Sequence, residues 1–286
     1  MIARFGHDEF DASELAAQRD VDVSVVLPAR DEEATVGEIV AALRSLPGLV
    51  DQVVVVDSCS ADRTAEAARA AGAEVHAQEQ LLPELGPPLG KGDAMWRALS
   101  VARGEIVVYL DSDTIGFSPR FLVGLLGPLL RDPEVQFVKG GFGRPFGGTG
   151  DDGGRVTELC ARPLLTAFRP ELAALRQPLA GEVAVRRGLL EELPFATGFG
   201  VEIGMLLDAW DRLGPAGLVE AALGERRQPH KPLFDLGPMA YAVVAAVMRR
   251  EGVAGGDLPP YRTPDGRLVE IEQVERPPFA SLRSRA

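Results

Sequence analysis

The chain has 286 residues, enough for one large domain or two small ones and for a substantial core. Thirty basic residues against 42 acidic ones give a formal net charge of −12, which repels the phosphate backbone and excludes a general nucleic-acid partner. Hydrophobic residues at 46% and charged residues at 25% are globular values, far from those of a disordered chain. Residues 1–20 carry Asp8, Glu9, Asp11 and Glu14 where an export signal needs a basic start and an apolar run. They are read as an N-terminal extension. From 21 to 141 short β-branched runs alternate with Ala- and Leu-rich segments, the pattern of βαβ crossovers. This pattern predicts strands at 23–27, 52–57, 74–77, 105–110 and 135–139, with helices at 32–46, 62–71, 91–102 and 119–131. Residues 140–154 hold eight glycines in fifteen positions, a density expected of a loop that divides the chain, either a linker or a mobile lid. Helices at 156–168, 187–193, 200–213 and 235–249 make the stretch 142–250 largely helical. The tail 251–286, rich in Gly, Pro and Arg, reads as irregular or loosely docked. The longest apolar stretches, 121–130 and 239–248, are about half of the roughly 20 residues that span a bilayer, so no membrane partner is expected. Cys59 and Cys160 provide neither a disulfide framework nor a CxxC metal pair and fit a reducing cytoplasm.

Chemistry is concentrated at predicted strand ends, where open α/β sheets bind ligands. The strongest signal is Asp111-Ser112-Asp113, two carboxylates one residue apart after an apolar strand. They suit a hard divalent cation and a diphosphate; a capping turn rich in Asp and Ser is the plain alternative. Strand one ends in Pro28-Ala29-Arg30-Asp31-Glu32, whose acids can bind a nucleobase or ribose or simply cap the next helix. Strand two ends in Asp57-Ser58, and the two ends together make a cleft. Cys59 has no neighbour to activate it and is a bystander. Lys91 between Gly90 and Gly92 starts a helix, an anion site or an exposed turn, and it is not a P-loop. Gly154-Arg155-Val156-Thr157 offers free amides, a guanidinium and a hydroxyl for a phosphate or carboxylate, unless Thr157 is an ordinary cap. Gln177 to Glu182 reads as a tight turn that brings backbone close to a ligand, and Glu202 opens an apolar helix near the cleft or complements its dipole. Arg226-Arg227-Gln228-Pro229-His230-Lys231 reverses the local charge of an acidic chain, as a diphosphate site or as a solvated turn. HExxH and GxSxG are absent, as is a GxGxxG with an acid in the expected place.

Taken in order, these motifs resemble those of the glucosyl-3-phosphoglycerate synthases, over about residues 21–249 and on both sides of the glycine-rich loop. The resemblance implies an α/β, GT-A (Rossmann-like) fold with a mixed sheet, a nucleotide-sugar-binding half at 21–141 and a helical acceptor-binding part at 142–250. It implies retaining transfer of glucose from UDP-glucose to the 2-hydroxyl of 3-phosphoglycerate, with Mg2+ or Mn2+, by a cytoplasmic homodimer. By position, Pro28, Ala29, Asp31, Glu32, Ser58, Lys91, Asp111, Ser112, Asp113 and Arg226 would hold the nucleotide sugar. Gly154, Arg155, Val156, Thr157 and His230 would hold the acceptor. Asp111, Leu179 and Glu202 would lie at the reacting centre, and Asp113 with Gln228 at the metal. The family's usual metal histidine is Gln228 here, with His230 two residues later, and its usual Asn is Asp31. Mannosyl transfer to a small acid is the alternative on the same fold, and a non-catalytic nucleotide-sugar-binding protein the alternative of another class.

Overall fold

The structure, a computed structural model, describes residues 1–146 and 153–283. Strands β1 (Arg4–Gly6), β2 (Val23–Ala29), β3 (Gln52–Asp57), β4 (Glu74–Ala77), β5 (Ile106–Tyr109), β6 (Phe137–Gly143), β7 (Val183–Arg186) and β9 (Leu218–Glu225) form one sheet. The short β8 (Phe195–Ala196) stands apart. The order across the sheet is β1-β9-β6-β7-β5-β2-β3-β4. β7 runs antiparallel to both neighbours, and every other pairing is parallel. The C-terminal ends of β2, β3, β5, β6 and β9 and the N-terminal end of β7 therefore share one edge.

The parallel half follows the sequence closely. Val-rich β2, β3 and β5 are buried on both faces, as crossover helices on each side require. The crossovers are α2 (Val36–Arg44), α3 (Thr64–Ala70) and α4 (Lys91–Ala98); α1 (Ala12–Gln18) precedes β2, and α5 (Arg120–Arg131) leads from β5 to β6. One apolar layer packs Val25, Leu27, Ile39 and Leu126, and the other packs Val26, Trp96, Phe137 and Leu206.

The structure changes four expectations. Residues 1–20 are no outlying extension, because β1 extends the sheet beside β9 and α1 packs against α5. The second half supplies strands as well as α6 (Arg162–Phe168), α7 (Arg187–Glu192), α8 (Val201–Gly217) and α9 (Leu236–Arg250). The glycine-dense stretch begins inside β6, not in a loop. Its glycines answer crowding, since a Cβ on Gly140 would lie 2.9 Å from Glu182 Cβ and one on Gly141 would lie 2.5 Å from Glu220 Oε1. The lid reading falls mainly on residues 147–152, outside the described residues. The tail forms a hairpin of β10 (Tyr261–Arg262) and β11 (Leu268–Val269), then pairs β12 (Glu275–Arg276) with β8, before α10 (Ala280–Arg283). It is firmly docked: Arg276 Nε donates to the buried Asp93 at 2.6 Å, and Trp96 Nε1 to Pro277 O at 2.8 Å. Phe279 closes the contact edge-on to Trp96.

Candidate active site

At the shared strand edge a cleft of about 830 Å³ opens. Its sides come from the ends of β2, β3, β5 and β6, from the start of α4 and α8, and from tail residues 269–272. Lys91 is placed by its two glycine neighbours. Gly90 takes φ 92°, in the left-handed region, and a Cβ on Gly92 would sit 1.8 Å from Ala196 O. Only glycines let α4 begin against this backbone.

Lys91 Nζ donates to Asp111 Oδ1 at 2.5 Å and to Glu202 Oε1 at 2.6 Å. Arg226 answers from the position just after β9: its NH2 reaches Asp113 Oδ1 at 2.5 Å and Asp111 Oδ2 at 3.1 Å, and its Nε lies 2.9 Å from Glu182 Oε1. Burial works against both cations, but the facing carboxylates outweigh it and hold Lys91 and Arg226 charged far above neutrality. For Asp111 burial is outweighed by Lys91 and Arg226, which hold it well below the usual carboxylate range. Asp111 is thus a fixed anion, unsuited to proton transfer near neutral pH. Glu32 is pushed up to about 7 by burial and by the charge of Asp113. Glu182 rises to about 7, chiefly through burial, with Arg226 opposing and Asp111 adding.

Most of the residues expected from the sequence converge here. Pro28, Ala29, Glu32, Ser58, Lys91, Asp111, Ser112, Asp113, Leu179, Glu202 and Arg226 all line the cleft. Ser112 Oγ donates to Pro28 O at 2.8 Å, fastening the end of β2 to the carboxylate turn. Asp31 is a correction: it does not line the cleft. Its backbone takes φ 57°, and its Oδ1 accepts from Ala61 N at 2.7 Å, so the side chain is spent on a turn between strand ends.

On the acceptor side Arg155, Val156 and Thr157 line the cleft together with Gly153, whereas Gly154 lies behind them against Gln177. Arg155 stacks over Phe146 at 4.8 Å and donates to Lys231 O at 2.7 Å. His230 also lines the cleft, but its Nε2 meets Pro145 O at 3.1 Å and its ring packs edge-on to Phe146, so it is not turned to a metal. Gln228 lines the cleft too, and its buried Oε1 accepts no hydrogen bond from a described residue. An unspent carbonyl and the Asp113 carboxylate are oxygen donors that fit a hard divalent cation, although no group of three His, Cys, Asp or Glu among the described residues is arranged to hold a metal by itself.

Glu182, Lys139 and Arg144 join this cluster without a role foreseen from the motifs. Lys139 had a visible signal, a lone charge inside the apolar strand β6. It is 1% exposed and donates to Ala180 O at 2.7 Å, pinning the turn that carries Leu179. Burial pushes its ammonium down to about 8, with Glu202 and Glu182 pulling the other way, against an ordinary value of 10.5. The unfolded chain therefore binds the extra proton between these values, and this group adds stability as pH rises through that window. Relative to Lys139→Met, the natural chain should gain roughly 3 kcal/mol between pH 7 and pH 10.5, read by urea unfolding. A difference that stays flat with pH would remove Lys139 from this account.

A mixed α/β sheet that gathers fixed carboxylates and two buried cations at its strand ends is a GT-A scaffold. The chain belongs to glycosyl transferase family 2, the model of which matches residues 24–186. Over 287 aligned residues it is 44% identical to the glucosyl-3-phosphoglycerate synthase of Mycolicibacterium smegmatis, covering 94% of this chain and 93% of that one. The Mycobacterium tuberculosis glucosyl-3-phosphoglycerate synthase, solved with Mn2+, UDP-glucose and phosphoglyceric acid, superposes with a TM-score of 0.90 at 42% identity over 96% of both chains. A mannosyl-3-phosphoglycerate synthase from Rubrobacter xylanophilus superposes at 0.89 with 41% identity, over 98% of this chain and 97% of that one. These near full-length similarities place the chain in the glucosyl-3-phosphoglycerate synthase family.

Proposed function

We propose that the protein transfers glucose from UDP-glucose to the 2-hydroxyl of 3-phosphoglycerate with retention, aided by Mg2+ or Mn2+. The observation that carries this is the Asp111–Lys91–Glu202 and Arg226–Asp113 cluster on the cleft floor, together with the substrates bound to the M. tuberculosis relative. Pro28, Ala29, Glu32 and Ser58 offer the nucleoside a strand-end bed. Lys91 and Arg226 meet the diphosphate, and Arg155 with the amides beside Thr157 meets the acceptor's phosphate. Asp113 and Gln228 would hold the cation, which supplies further charge neutralisation to the departing diphosphate.

Leaving-group stabilisation by buried positive charge is then the main catalytic contribution. Asp111 stays ionised beside the sugar, and Glu202 is tied to Lys91, so neither is a free base. In a front-side transfer the departing phosphate oxygen can take the acceptor's proton. The turn held by Lys139 keeps Leu179 at the reacting centre.

The Rubrobacter neighbour favours a second reading, mannosyl transfer on the same fold. Offering UDP-glucose and GDP-mannose together with 3-phosphoglycerate separates the two. Glucosylated product that disappears with chelator is expected, and a mannosylated product in excess would transfer the assignment to the second reading. A cytoplasmic homodimer belongs to the same proposal; the free thiols of Cys59 and Cys160 fit that compartment, and sedimentation tests the dimer.

A further inference from the structure

The cluster around Arg226 contains a carboxylate that the proposed reaction leaves without a task. Glu182, the residue before β7, is 1% exposed, and neither Oε1 nor Oε2 accepts a hydrogen bond from any described residue. Its Oε1 lies 2.9 Å from Arg226 Nε, yet that Nε–H is aimed at Thr114 Oγ1, also at 2.9 Å. The contact is therefore coulombic but poorly aligned. Burying an anion without a donor is costly, and a native fold that keeps one invites a functional reason.

The neighbouring cations do not fill the gap. Lys91 is shared by Asp111 and Glu202, Lys139 donates to Ala180 O, and Arg144 adds only its charge, giving neither Glu182 oxygen a hydrogen bond. Glu182 is 1% exposed and its Cβ is packed so close to Gly140 that an added Cβ there would lie 2.9 Å away, so its carboxylate stays in the buried cluster. Arg226, by contrast, is over-subscribed. Its NH2 serves Asp113 at 2.5 Å and Asp111 at 3.1 Å, while Asp113 is also the carboxylate available to a cation. A carboxylate oxygen engaged by a guanidinium is a poor metal ligand.

We propose that Glu182 is a positioning residue that receives Arg226 when Asp113 turns to the divalent cation. The guanidinium passes its donors from Asp113 to the open Glu182 oxygens, stays in place beneath the diphosphate, and releases Asp113. This rests on the glucosyl-transfer reading with Asp113 at the metal.

Glu182→Gln keeps the shape and removes the charge. With UDP present, Mn2+ binding followed by electron paramagnetic resonance should need about tenfold more Mn2+ than in the natural chain, the worth of one charge-assisted hydrogen bond. Turnover at saturating Mn2+ should fall by less than this midpoint rises, a split that general loss of structure would not produce. Glu182→Asp, charged but one methylene short, should also raise the midpoint. An unchanged midpoint in Glu182→Gln, or a natural midpoint in Glu182→Asp, would overturn the proposal, the latter because only the field of the charge would then matter. If the variants do not fold, a crystal structure of the natural chain with UDP and Mn2+ decides. Arg226 donating to Glu182 within about 3.2 Å, with Asp113 released, supports the proposal; Arg226 still on Asp113 overturns it. Product from a natural chain whose Glu182 variant binds Mn2+ normally would sink this inference alone, whereas a natural chain that makes no product sinks the reading beneath it.

Discussion

Replacing Arg226 by Lys should lower turnover by roughly 10²- to 10³-fold while leaving the protein folded. The guanidinium spans three acids, with NH2 on Asp113 and Asp111 and Nε between Thr114 and Glu182. A lysine ammonium keeps the compensating charge but is a single point with no planar fork, so it cannot hold this spread of partners and face a diphosphate together. The loss should fall mainly on kcat, because the missing stabilisation is greatest when the diphosphate departs. Arg226→Met differs in kind. It leaves Glu182 buried beside Asp111 and Asp113 without the guanidinium that faces them, and should cost about 3–5 kcal/mol of stability. Steady-state kinetics and urea unfolding on the two variants separate these effects; equal kinetics in natural and Lys chains would remove Arg226 from the reaction.

Gly181→Ala should be nearly as damaging to activity, by a steric route. A Cβ there would lie 2.1 Å from Asp111 Oδ1 and 2.6 Å from its Cγ. Asp111 cannot yield like a free surface side chain, because Lys91 and Arg226 grip both of its oxygens. Either the carboxylate or the turn that carries Leu179 must shift, and misplacement of about 1 Å at a reacting centre costs on the order of 10²-fold. Stability should drop by about 1–3 kcal/mol. Gly188→Ala is the control: it lies in α7 with nothing within 4 Å of its added Cβ, and should be neutral or slightly stabilising. Two alanine variants of similar activity would show that the packing of Asp111 on Gly181 has no bearing on catalysis.

What the sequence made legible was local. The β-branched runs of β2, β3 and β5 and the polar residues at their ends are written in consecutive positions, so the strand-end cleft and the Asp111–Asp113 pair could be read directly. β9 was missed because Leu-Val-Glu-Ala-Ala-Leu has helix-forming composition, and its strand state is imposed by pairing with β6. β7 was missed because four residues give too short a period, and its antiparallel slot between β5 and β6 is a tertiary fact. That slot brings Glu182 under Arg226, a pairing with no local signature. The glycines of β6 were misread because glycine signals both flexibility and close approach, and only the neighbours Glu182 and Glu220 tell which applies. Asp31 looked like a nucleotide contact by its place in the motif, yet its left-handed backbone turns the carboxylate to Ala61. The Gln228 carbonyl is the opposite case, since a substitution that weakens the family pattern on paper sits in the cleft with its oxygen unspent.

The most direct measurement is proton NMR of the natural chain turning over UDP-glucose and 3-phosphoglycerate, with Mg2+, with Mn2+ and with chelator. A glucose joined through its α-anomeric carbon to the 2-hydroxyl of phosphoglycerate, formed with either metal and lost with chelator, is the predicted outcome. A β-linked product would contradict the retaining reaction, and no product with either metal would contradict glucosyl transfer itself.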